Sequence, residues 1–273
     1  KDSTTGKVRV FAMPIVDFNA DNVCYGQTMV TTNKTTGAAN YAWNFDDGAT
    51  SALTSPANFY QQAGNYNVQL IATTSNNCID SISKMVSIYA KPIAGFDAKD
   101  VCDETAVSFG NTSYGAIINT NNWSFGDANT SQVINPNYTY SKEGAYTTEL
   151  ITISDNGCSD TISKTITIHP NPIVNFANTT ECDYDSTEFT NNTSIATGTS
   201  TCQWNFGTGD KSNIENPNYL FPSAGAYVVG LEATSDKGCV RFITKTIIVN
   251  PSPTAAISTN NNCEGLESNM MST

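Results

Sequence analysis

Hydrophobic and polar residues alternate strictly in several stretches of the chain. From Tyr66 to Thr73, Tyr, Val, Leu and Ala alternate with Asn, Gln, Ile and Thr. Side chains two positions apart in a strand point to the same face, so such a stretch has one buried face. Turn residues separate these stretches, and none of them has helical periodicity. The pattern predicts an all-β protein.

A short stretch centred on tryptophan occurs three times. Trp43, Trp123 and Trp204 are 80 and 81 residues apart, and each is followed two positions later by phenylalanine. A large aromatic residue at a near-constant interval indicates that one folding unit has been copied. A Gly-x-Tyr element recurs at the same intervals. The predicted repeat core positions are Trp43, Phe45, Tyr66, Trp123, Phe125, Tyr146, Trp204, Phe206 and Tyr227.

The registered positions divide the chain into repeats. Three full repeats are expected at residues 14–90, 91–170 and 171–250, with the last strand of a preceding repeat at 1–13 and the start of a further one at 251–273. The chain is therefore expected to be part of a longer array. Short linkers with two prolines favour an extended, semi-rigid spacer, so the repeats are expected to form an elongated rod.

The recurring motifs resemble those of the PKD (polycystic kidney disease) domain. The family pattern Trp-x-Phe-Gly-Asp-Gly reads here as the stretches 43–48, 123–128 and 204–209, each with one departure, while Asn-Pro-x-Tyr-x-Tyr is matched at 135–140 and Gly-x-Tyr-x-Val-x-Leu at 64–70. In the third repeat, Thr208 replaces the turn aspartate found at Asp47 and Asp127. The resemblance implies tandem immunoglobulin-like β-sandwiches from a large bacterial cell-surface or adhesin-like protein. The Gly-x-Tyr element resembles the tyrosine corner of such sandwiches.

Eight cysteines, most of them in registered positions, indicate an oxidising compartment. The simplest pairing lies within each repeat, where a loop of more than fifty residues contributes roughly 3–4.5 kcal/mol of stability in the chain-entropy account. Zinc is the alternative, but no Cys-x-x-Cys spacing occurs. Cys263 matches a first cysteine whose partner lies beyond the sequence, and Cys202 is expected to be a buried free thiol, with an intermolecular disulfide as the alternative. The predicted disulfides are Cys24–Cys78, Cys102–Cys158 and Cys182–Cys239.

The charge balance restricts the partners. The net charge is −12 and the pI is about 4.3, which argues against binding to nucleic acid or to an anionic membrane surface. No run of apolar residues is long enough to span a bilayer. The expected location is extracellular, at a cell surface or secreted. The expected partners are other repeats of the same long chain, filament neighbours or surface polymers.

Few residues suggest chemistry. The only histidine, His169, lies in a linker, and no nucleophile motif or phosphate-binding loop is present. No catalytic residue and no cofactor are predicted. Acidic residues near the joints, among them Asp97, Asp100 and Asp103, are weak calcium candidates, because calcium binds several such oxygens. The alternative, a solvated acidic surface, is favoured because no calcium-loop motif is present.

Two other recurring positions have alternative interpretations. Ser81, Thr161 and Ser186 follow aspartate, a form that resembles the O-glycosylation acceptors of some bacterial surface proteins. Alternatively, these aspartates are residues at turn exits with a polar neighbour. A lysine recurs in each last strand, as Lys84, Lys164 and Lys245, and is interpreted as a charge that blocks edge-to-edge aggregation.

Two classes of function fit these observations. The first is a non-catalytic stalk segment of a cell-surface adhesin or extracellular filament. The second is a set of accessory modules of a secreted hydrolase that assist binding to a polymeric substrate, because the resembled family also accompanies collagenases and chitinases. Tandem copies without a catalytic motif favour the first class.

Overall fold

The structure is a computed structural model that describes residue 6, residues 8–259 and residues 270–272. Every regular element in these ranges is a β-strand, so the predicted all-β class is confirmed. The first repeat contains β1 (Phe18–Ala20), β2 (Val23–Cys24), β3 (Met29–Asn33), β4 (Asn40–Asn44), β5 (Thr50–Ser51), β6 (Ala57–Asn58), β7 (Gly64–Thr73) and β8 (Ile79–Tyr89). The second contains β9 (Phe96–Asp97), β10 (Val101–Cys102), β11 (Val107–Ser108), β12 (Gly110–Asn111), β13 (Ile118–Ser124), β14 (Thr130–Ser131), β15 (Asn137–Tyr138), β16 (Gly144–Ser154) and β17 (Ser159–His169). The third contains β18 (Phe176–Asn178), β19 (Thr187–Asn191), β20 (Ser200–Asn205), β21 (Lys211–Ser212), β22 (Asn218–Tyr219), β23 (Gly225–Ser235) and β24 (Val240–Val249). A final antiparallel pair consists of β25 (Ile257–Thr259) and β26 (Met270–Ser272).

Each repeat is built around one long antiparallel hairpin. In the first repeat, β7 and β8 pair in a sheet of order β2-β8-β7-β4-β5, and β1-β3-β6 form the second sheet. The third repeat has the sheets β21-β20-β23-β24 and β18-β19-β22. The middle repeat has the sheet β10-β17-β16-β13-β14 and the two pairs β11-β15 and β12-β9. These are tandem β-sandwiches, as expected.

The chain divides into two compact units that do not coincide with single repeats. The first unit comprises the described residues up to Ala98 together with Ser108–Asn137 and Tyr146–Ile166. The second comprises Lys99–Val107, Tyr138–Ala145 and the described residues from Thr167 onward. The middle repeat therefore contributes residues to both units.

The tryptophan strands form the core as the alternation predicts. Trp43, Trp123 and Trp204 are each at most 2% exposed. Each lies edge-on to a phenylalanine of the opposing sheet, with ring centroids 5.0–5.2 Å apart, and each indole nitrogen donates to a backbone oxygen ten residues later at 2.9–3.0 Å. The bond provides a partner for the buried indole N–H, which would otherwise cost stability. It also holds the chain after the tryptophan strand against the core.

The tyrosine of the Gly-x-Tyr element is part of a corner. The hydroxyl of Tyr66 donates to the carbonyl of Gln62 at 2.9 Å, and that of Tyr227 donates to the carbonyl of Ser223 at 2.8 Å. Both rings also pack against the buried cores of their repeats. This is the bond to upstream backbone that defines a tyrosine corner, so that interpretation is confirmed for these two residues.

The turn after each tryptophan strand requires a positive φ. Gly126 and Gly207 have φ of 85° and 78°, and a Cβ on either would lie 2.6–2.7 Å from a backbone oxygen of the neighbouring strand. Asp46 occupies the same position in the first repeat with φ 64°, and its Oδ2 accepts a bond from the backbone nitrogen of Asn67 at 2.9 Å. Glycine at this position allows the neighbouring strand to approach the turn closely, whereas the aspartate binds that strand through a hydrogen bond.

The recurring lysine has a role that the sequence interpretation missed. Lys84, Lys164 and Lys245 each reach across their sandwich and donate to the carbonyl oxygen of a buried phenylalanine on the opposing sheet. Each ammonium also lies 4.7–5.2 Å from the centroid of that ring. We call this arrangement the lysine clasp. It connects the two sheets, whereas the sequence interpretation had assigned these lysines only to guarding a strand edge.

One strand expectation lies partly outside the described residues. Residues 1–13 were expected to hold the last strand of a preceding repeat, but residues 8–13 contain no strand. Val8 and Val10, the apolar positions of that expectation, are 88% and 91% exposed. The assignment of residues 1–13 to a preceding repeat stays a prediction.

Candidate functional site: the joints between repeats

Two disulfides connect successive repeats. Cys24 of the first repeat bonds to Cys158 of the second, with an S–S distance of 1.93 Å and Cα atoms 5.7 Å apart. Cys102 of the second bonds to Cys239 of the third, with 2.03 Å and 5.6 Å. Each bond lies within one compact unit. In both, the first cysteine of a repeat pairs with the second cysteine of the next.

The predicted pairing within each repeat is therefore wrong. Cys24 is paired in register with Tyr89 at the end of β8, whereas Cys78 immediately precedes Ile79 at the start of β8. A strand rises about 3.3 Å per residue, so these two cysteines lie on the order of 30 Å apart along the strand. A disulfide needs Cα atoms within about 7 Å. The two cysteines of one repeat stand at opposite ends of its hairpin and are unable to bond. The same reason applies to the predicted pairs Cys102–Cys158 and Cys182–Cys239.

A short parallel strand positions each first cysteine. Cys24 and Cys102 pair with the last residues of β8 and β17, and Cys182 makes the equivalent parallel bridge to Asn250. In all three repeats, the backbone nitrogen of the next residue donates to the last strand at 2.8 Å. The first cysteine is therefore held at the end of its own sandwich where the last strand ends and the chain continues to the next repeat.

A hairpin turn positions each second cysteine at the opposite end of its sandwich, where the last strand begins. The backbone nitrogen of Cys158 donates to the hydroxyl of Ser154 at 3.1 Å, and that of Cys239 donates to Ser235 at 3.0 Å. Both paired second cysteines are 1% exposed. The turn hydroxyl therefore holds the loop that carries the bonded cysteine.

The first joint consists of Cys24, Lys91, Cys158 and Asp160. The carboxylate of Asp160 lies two residues after the second cysteine, accepts a bond from the backbone nitrogen of Ala94 at 2.9 Å, and is 3.8 Å from the Lys91 ammonium. Both bonds attach the linker to the second repeat. Such half-exposed ion pairs contribute little energy on their own, so the disulfide is the dominant connection.

The second joint consists of Cys102, Glu104, Cys239 and Arg241. Arg241 stands where Asp160 stands in the preceding repeat, and it forms an ion pair with Glu104. The linker residue Asn171 donates from its side-chain amide to the carbonyl of Asp103 at 2.8 Å. The two joints therefore share the same pairing of cysteines but differ in their charged contacts. The charged residues that face each other at one joint do not match those at the other.

The two disulfide loops overlap in sequence. They close 134 and 137 residues, and Cys102 lies inside the loop that Cys24 and Cys158 close. In the chain-entropy account, a loop of this size contributes about 5 kcal/mol of stability. Overlap makes the middle repeat part of both loops.

The calcium candidates have separate partners. Asp97 forms an ion pair with Lys164 at 3.6 Å, and Asp100 accepts from the backbone nitrogen of Thr167 at 2.8 Å. The carboxylate of Asp103 accepts from the backbone nitrogen of Glu104 at 3.0 Å. Within the described ranges, no group of three or more His, Cys, Asp or Glu residues is placed to hold a metal ion. Each of these aspartates has a local partner, and calcium binding stays a prediction.

The glycosylation candidates Ser81, Thr161 and Ser186 are all exposed. Their modification stays a prediction. The neighbouring aspartates have partners of their own, because Asp80 accepts from the backbone nitrogen of Ser81 at 2.8 Å and Asp160 belongs to the first joint. The interpretation as simple turn-exit residues therefore missed the contact of Asp160 with the linker.

Three described cysteines are free thiols: Cys78, Cys182 and Cys202. Cys202 is unpaired as expected but only partly buried, and it packs against the core of the third repeat. Burial raises the pKa of its thiol, which lowers its reactivity. Cys263 lies outside the described residues.

In the described part of the chain, no helix has the length and apolar character that a membrane crossing requires.

Comparison with known proteins assigns the family. A family model described as PKD domain matches residues 11–88, 89–170 and 169–249. The chain belongs to the PKD domain family. The pre-pro-metalloprotease PrtV of Vibrio cholerae serotype O1 is 29% identical over 167 residues, which is 60% of this chain and 18% of that protein. The chain thus spans about a fifth of the length of the curated relatives it matches.

Two solved structures are similar to this PKD chain. The PKD1 domain of the Vibrio cholerae metalloprotease PrtV is 34% identical, and the match covers 29% of this chain and 96% of that one, with a TM-score of 0.27. The N-terminal eight immunoglobulin domains of Down Syndrome Cell Adhesion Molecule match 90% of this chain and 37% of that one, at 10% identity and a TM-score of 0.50. This second likeness shows the immunoglobulin-like fold alone.

Proposed function

We propose that this PKD chain is a non-catalytic, load-bearing spacer segment of an extracellular repeat protein, a cell-surface adhesin or an extracellular filament. The observation that carries the proposal is the pair of disulfides that join successive repeats. A disulfide inside a domain stabilises only that domain, whereas these bonds resist separation of neighbouring domains. PKD domains and disulfides are typical of extracellular proteins, which fits a segment exposed to an oxidising medium.

The overlap of the two loops limits how far the segment extends under tension. In the reduced chain, 215 residues (239 − 24) separate Cys24 from Cys239. With both disulfides closed, the shortest covalent path crosses from Cys24 to Cys158, follows the chain back to Cys102, and crosses to Cys239. That path contains 56 residues (158 − 102). At roughly 3.3–3.6 Å per residue, full extension between these points falls from about 700–770 Å to about 180–200 Å.

Single-molecule force spectroscopy tests this proposal. The 273-residue chain is pulled from its two ends, with and without a reductant, and the gain in contour length is measured. We expect a large gain only in the reduced protein. Two matched double variants, C102S/C239S and C24S/C158S, leave one disulfide each and predict intermediate paths of 81 (239 − 158) and 78 (102 − 24) residues. Equal gains in oxidised and reduced wild type would contradict the proposal.

A second candidate is a set of accessory modules of a secreted hydrolase that assist binding to a polymeric substrate. The observation in its favour is the 29% identity to the metalloprotease PrtV over 167 residues. Sedimentation of the intact chain with insoluble collagen or chitin separates the two candidates. Saturable retention on either polymer would favour the accessory role. Retention equal to that of serum albumin favours the spacer.

A further inference from the structure

The third repeat has a polar cavity beside strand β20. Its volume is about 610 Å³, which is in the range of ligand-binding pockets. Hydroxyls, side-chain amides, two carboxylates and one thiol line it, and none of the described residues in the lining is a lysine, arginine or histidine. The lining residues that the argument uses are Thr193, Cys202, Gln203, Asn213, Glu215 and Glu232.

A row of exposed side chains runs from this cavity across the outer face of the sheet. Gln203 of β20 is paired in register with Glu232 of β23, and Glu232 is paired with Phe242 of β24. Residues paired in this way point to the same face, and strands lie about 4.8 Å apart, so the row from Gln203 to Phe242 is roughly 10 Å long. The side-chain amide of Gln203 donates to Asn213 at 3.3 Å, which continues the row on its other side. The row therefore joins a polar cavity to an aromatic ring.

Phe242 places that ring in solvent. It is 74% exposed, and Val240, two positions earlier on the same face, is also exposed. A large apolar side chain at the rim of a polar cavity is the combination that ligand sites use, with apolar surface for affinity and polar groups for orientation. Phe242 thus provides a flat apolar surface beside the hydrogen-bonding groups of the cavity.

The row is specific to the third repeat. The Phe242 position is hydroxylated and the Glu232 position is aliphatic in the other two repeats, where the residues are Thr161 and Ser81, and Ile151 and Ile71. The other repeats form the same sheet without these side chains, so the fold does not require them. Thr161 and Ser81 are exposed although another repeat follows each of them. The exposure of this face therefore does not depend on whether a further repeat follows.

One polar group at the cavity has an unmade hydrogen bond. The hydroxyl oxygen of Thr193 is buried and has no hydrogen-bond partner among the described residues. The equivalent hydroxyls of Thr35 and Ser113 donate to the carbonyls of Asp17 and Gly95, each at 3.2 Å. A buried hydroxyl without a partner costs stability, so a molecule in the cavity that bonds to it would be favoured.

We propose that the third repeat binds a neutral polysaccharide, with one sugar ring against Phe242 and the hydroxyls of the adjoining rings bonded in the cavity. Sugar hydroxyls donate to carboxylates such as Glu215 and Glu232, and both donate to and accept from amides such as Gln203. The C–H face of a sugar ring is flat and apolar, which suits the exposed phenyl ring. The two carboxylates repel an anionic polymer, and no described lining residue neutralises them.

This inference goes beyond the proposed spacer function and does not rest on it. The row and the cavity lie on the face and edge of one sheet, whereas the spacer function depends on the disulfides at the joints. A cationic peptide is the other class of ligand that two carboxylates could bind. Neutral amides and hydroxyls outnumber the carboxylates in the lining, which favours the polysaccharide.

Labelling of the Cys202 thiol tests the site directly, because this side chain lines the cavity. The intact chain is treated with N-ethylmaleimide in the presence of cellohexaose, mannohexaose or chitohexaose, and labelling rates are read from peptides by mass spectrometry. At least one of these neutral sugars is expected to slow labelling of Cys202 about fivefold, because access controls thiol reactivity. The free thiol Cys78 of the first repeat is the control in the same sample and is expected to react at an unchanged rate.

A matched pair of variants tests the aromatic surface. F242A is expected to raise the sugar concentration needed for half-maximal protection about tenfold, because it removes the apolar surface. V30A, at an exposed apolar residue of the first repeat, is expected to leave that concentration unchanged. No protection by any of the three sugars, or equal protection in F242A and wild type, would overturn the inference.

Two charged probes separate the classes of ligand. Hexagalacturonate is expected to leave the labelling of Cys202 unchanged, and so is hexalysine. Protection by hexalysine alone would assign the site to a cationic peptide, and protection by hexagalacturonate equal to that by a neutral sugar would contradict the charge argument. Both results overturn the inference. The same digests report the disulfides Cys24–Cys158 and Cys102–Cys239, so the spacer function is judged separately.

Discussion

At the scale of single residues, the lysine clasp shows how one side chain serves two sheets. The ammonium of Lys84 donates to the carbonyl of Phe18, lies over its ring and pairs with Asp17 at 2.8 Å. Hydrogen bonds to charged groups are among the stronger ones in proteins. The clasp recurs in all three repeats because each sandwich must connect the strand after its opening proline to the long hairpin.

Removal of the ammonium from the clasp is expected to destabilise the first repeat. Lys84→Met keeps the aliphatic stem and leaves the Phe18 carbonyl without this donor, so we expect a loss of about 1–3 kcal/mol in the free energy of unfolding. Chemical denaturation measures it. Lys211→Met, at an exposed lysine, is the control and is expected to change stability by less than about 0.5 kcal/mol. Equal effects of the two substitutions would exclude a structural role for the clasp.

The partner of the clasp makes a pH-dependent contribution. The hydrogen bond from Lys84 holds the pKa of the Asp17 carboxyl below its ordinary value. The folded-state pKa is thus lower than the unfolded one, so the stabilisation is present above the unfolded value and is lost as pH falls through the folded value. Asp17→Asn is expected to be less stable than wild type at pH 7, and the difference in stability is expected to shrink as pH falls below the ordinary range of carboxyl groups. Urea titrations at a series of pH values measure this difference. A constant difference at all pH values would contradict the assignment.

At the scale of elements, the turn after the tryptophan strand decides how closely two strands approach. The position requires φ near +80° and, in the second repeat, lies against the backbone of Thr147. Glycine meets both requirements at Gly126 and Gly207. Asp46 meets them in a different way, through its hydrogen bond to Asn67. The motif therefore varies in sequence while the turn keeps its backbone.

Two alanine substitutions separate the contribution of crowding from that of backbone strain. Gly126 and Gly157 both have positive φ, but a Cβ at Gly126 lies 2.6 Å from the Thr147 oxygen and one at Gly157 meets nothing within 4 Å. Both variants lose about 1–2 kcal/mol to the left-handed backbone. Gly126→Ala is expected to lose about 1–3 kcal/mol more, because the new methyl displaces backbone. Thermal unfolding compares them, and equal losses would contradict the crowding.

The sequence allowed the elements to be predicted better than the connections between them. Alternation at 66–73 and the tryptophan repeats specified the buried face, because burial follows directly from strand geometry. The disulfide pairing was not predictable from the recurrence of the cysteines. Pairing within each repeat and pairing between successive repeats both place the cysteines at the same interval along the chain. A usable signal existed: Cys78 follows a hairpin turn and immediately precedes the 11-residue strand β8, which places it at the opposite end of the sandwich from any residue at the end of that strand.

At the scale of the whole molecule, the joints are what the repeats add to a single PKD domain. The middle repeat is bonded to the repeat before it by one disulfide and to the repeat after it by the other. Each joint therefore has a second covalent connection besides its linker. The charged contacts differ between joints, with Lys91–Asp160 at the first and Arg241–Glu104 at the second. The predicted elongated rod stays a prediction at this scale, as does the expectation that the chain is part of a longer array.

Disulfide mapping of the native protein tests the central claim most directly. The protein is alkylated to block free thiols, digested without reduction, and the linked peptides are identified by mass spectrometry. The structure predicts Cys24 linked to Cys158 and Cys102 linked to Cys239, with Cys202 alkylated in every sample. A link from Cys24 to Cys78, or from Cys102 to Cys158, would contradict the covalent joining of successive repeats.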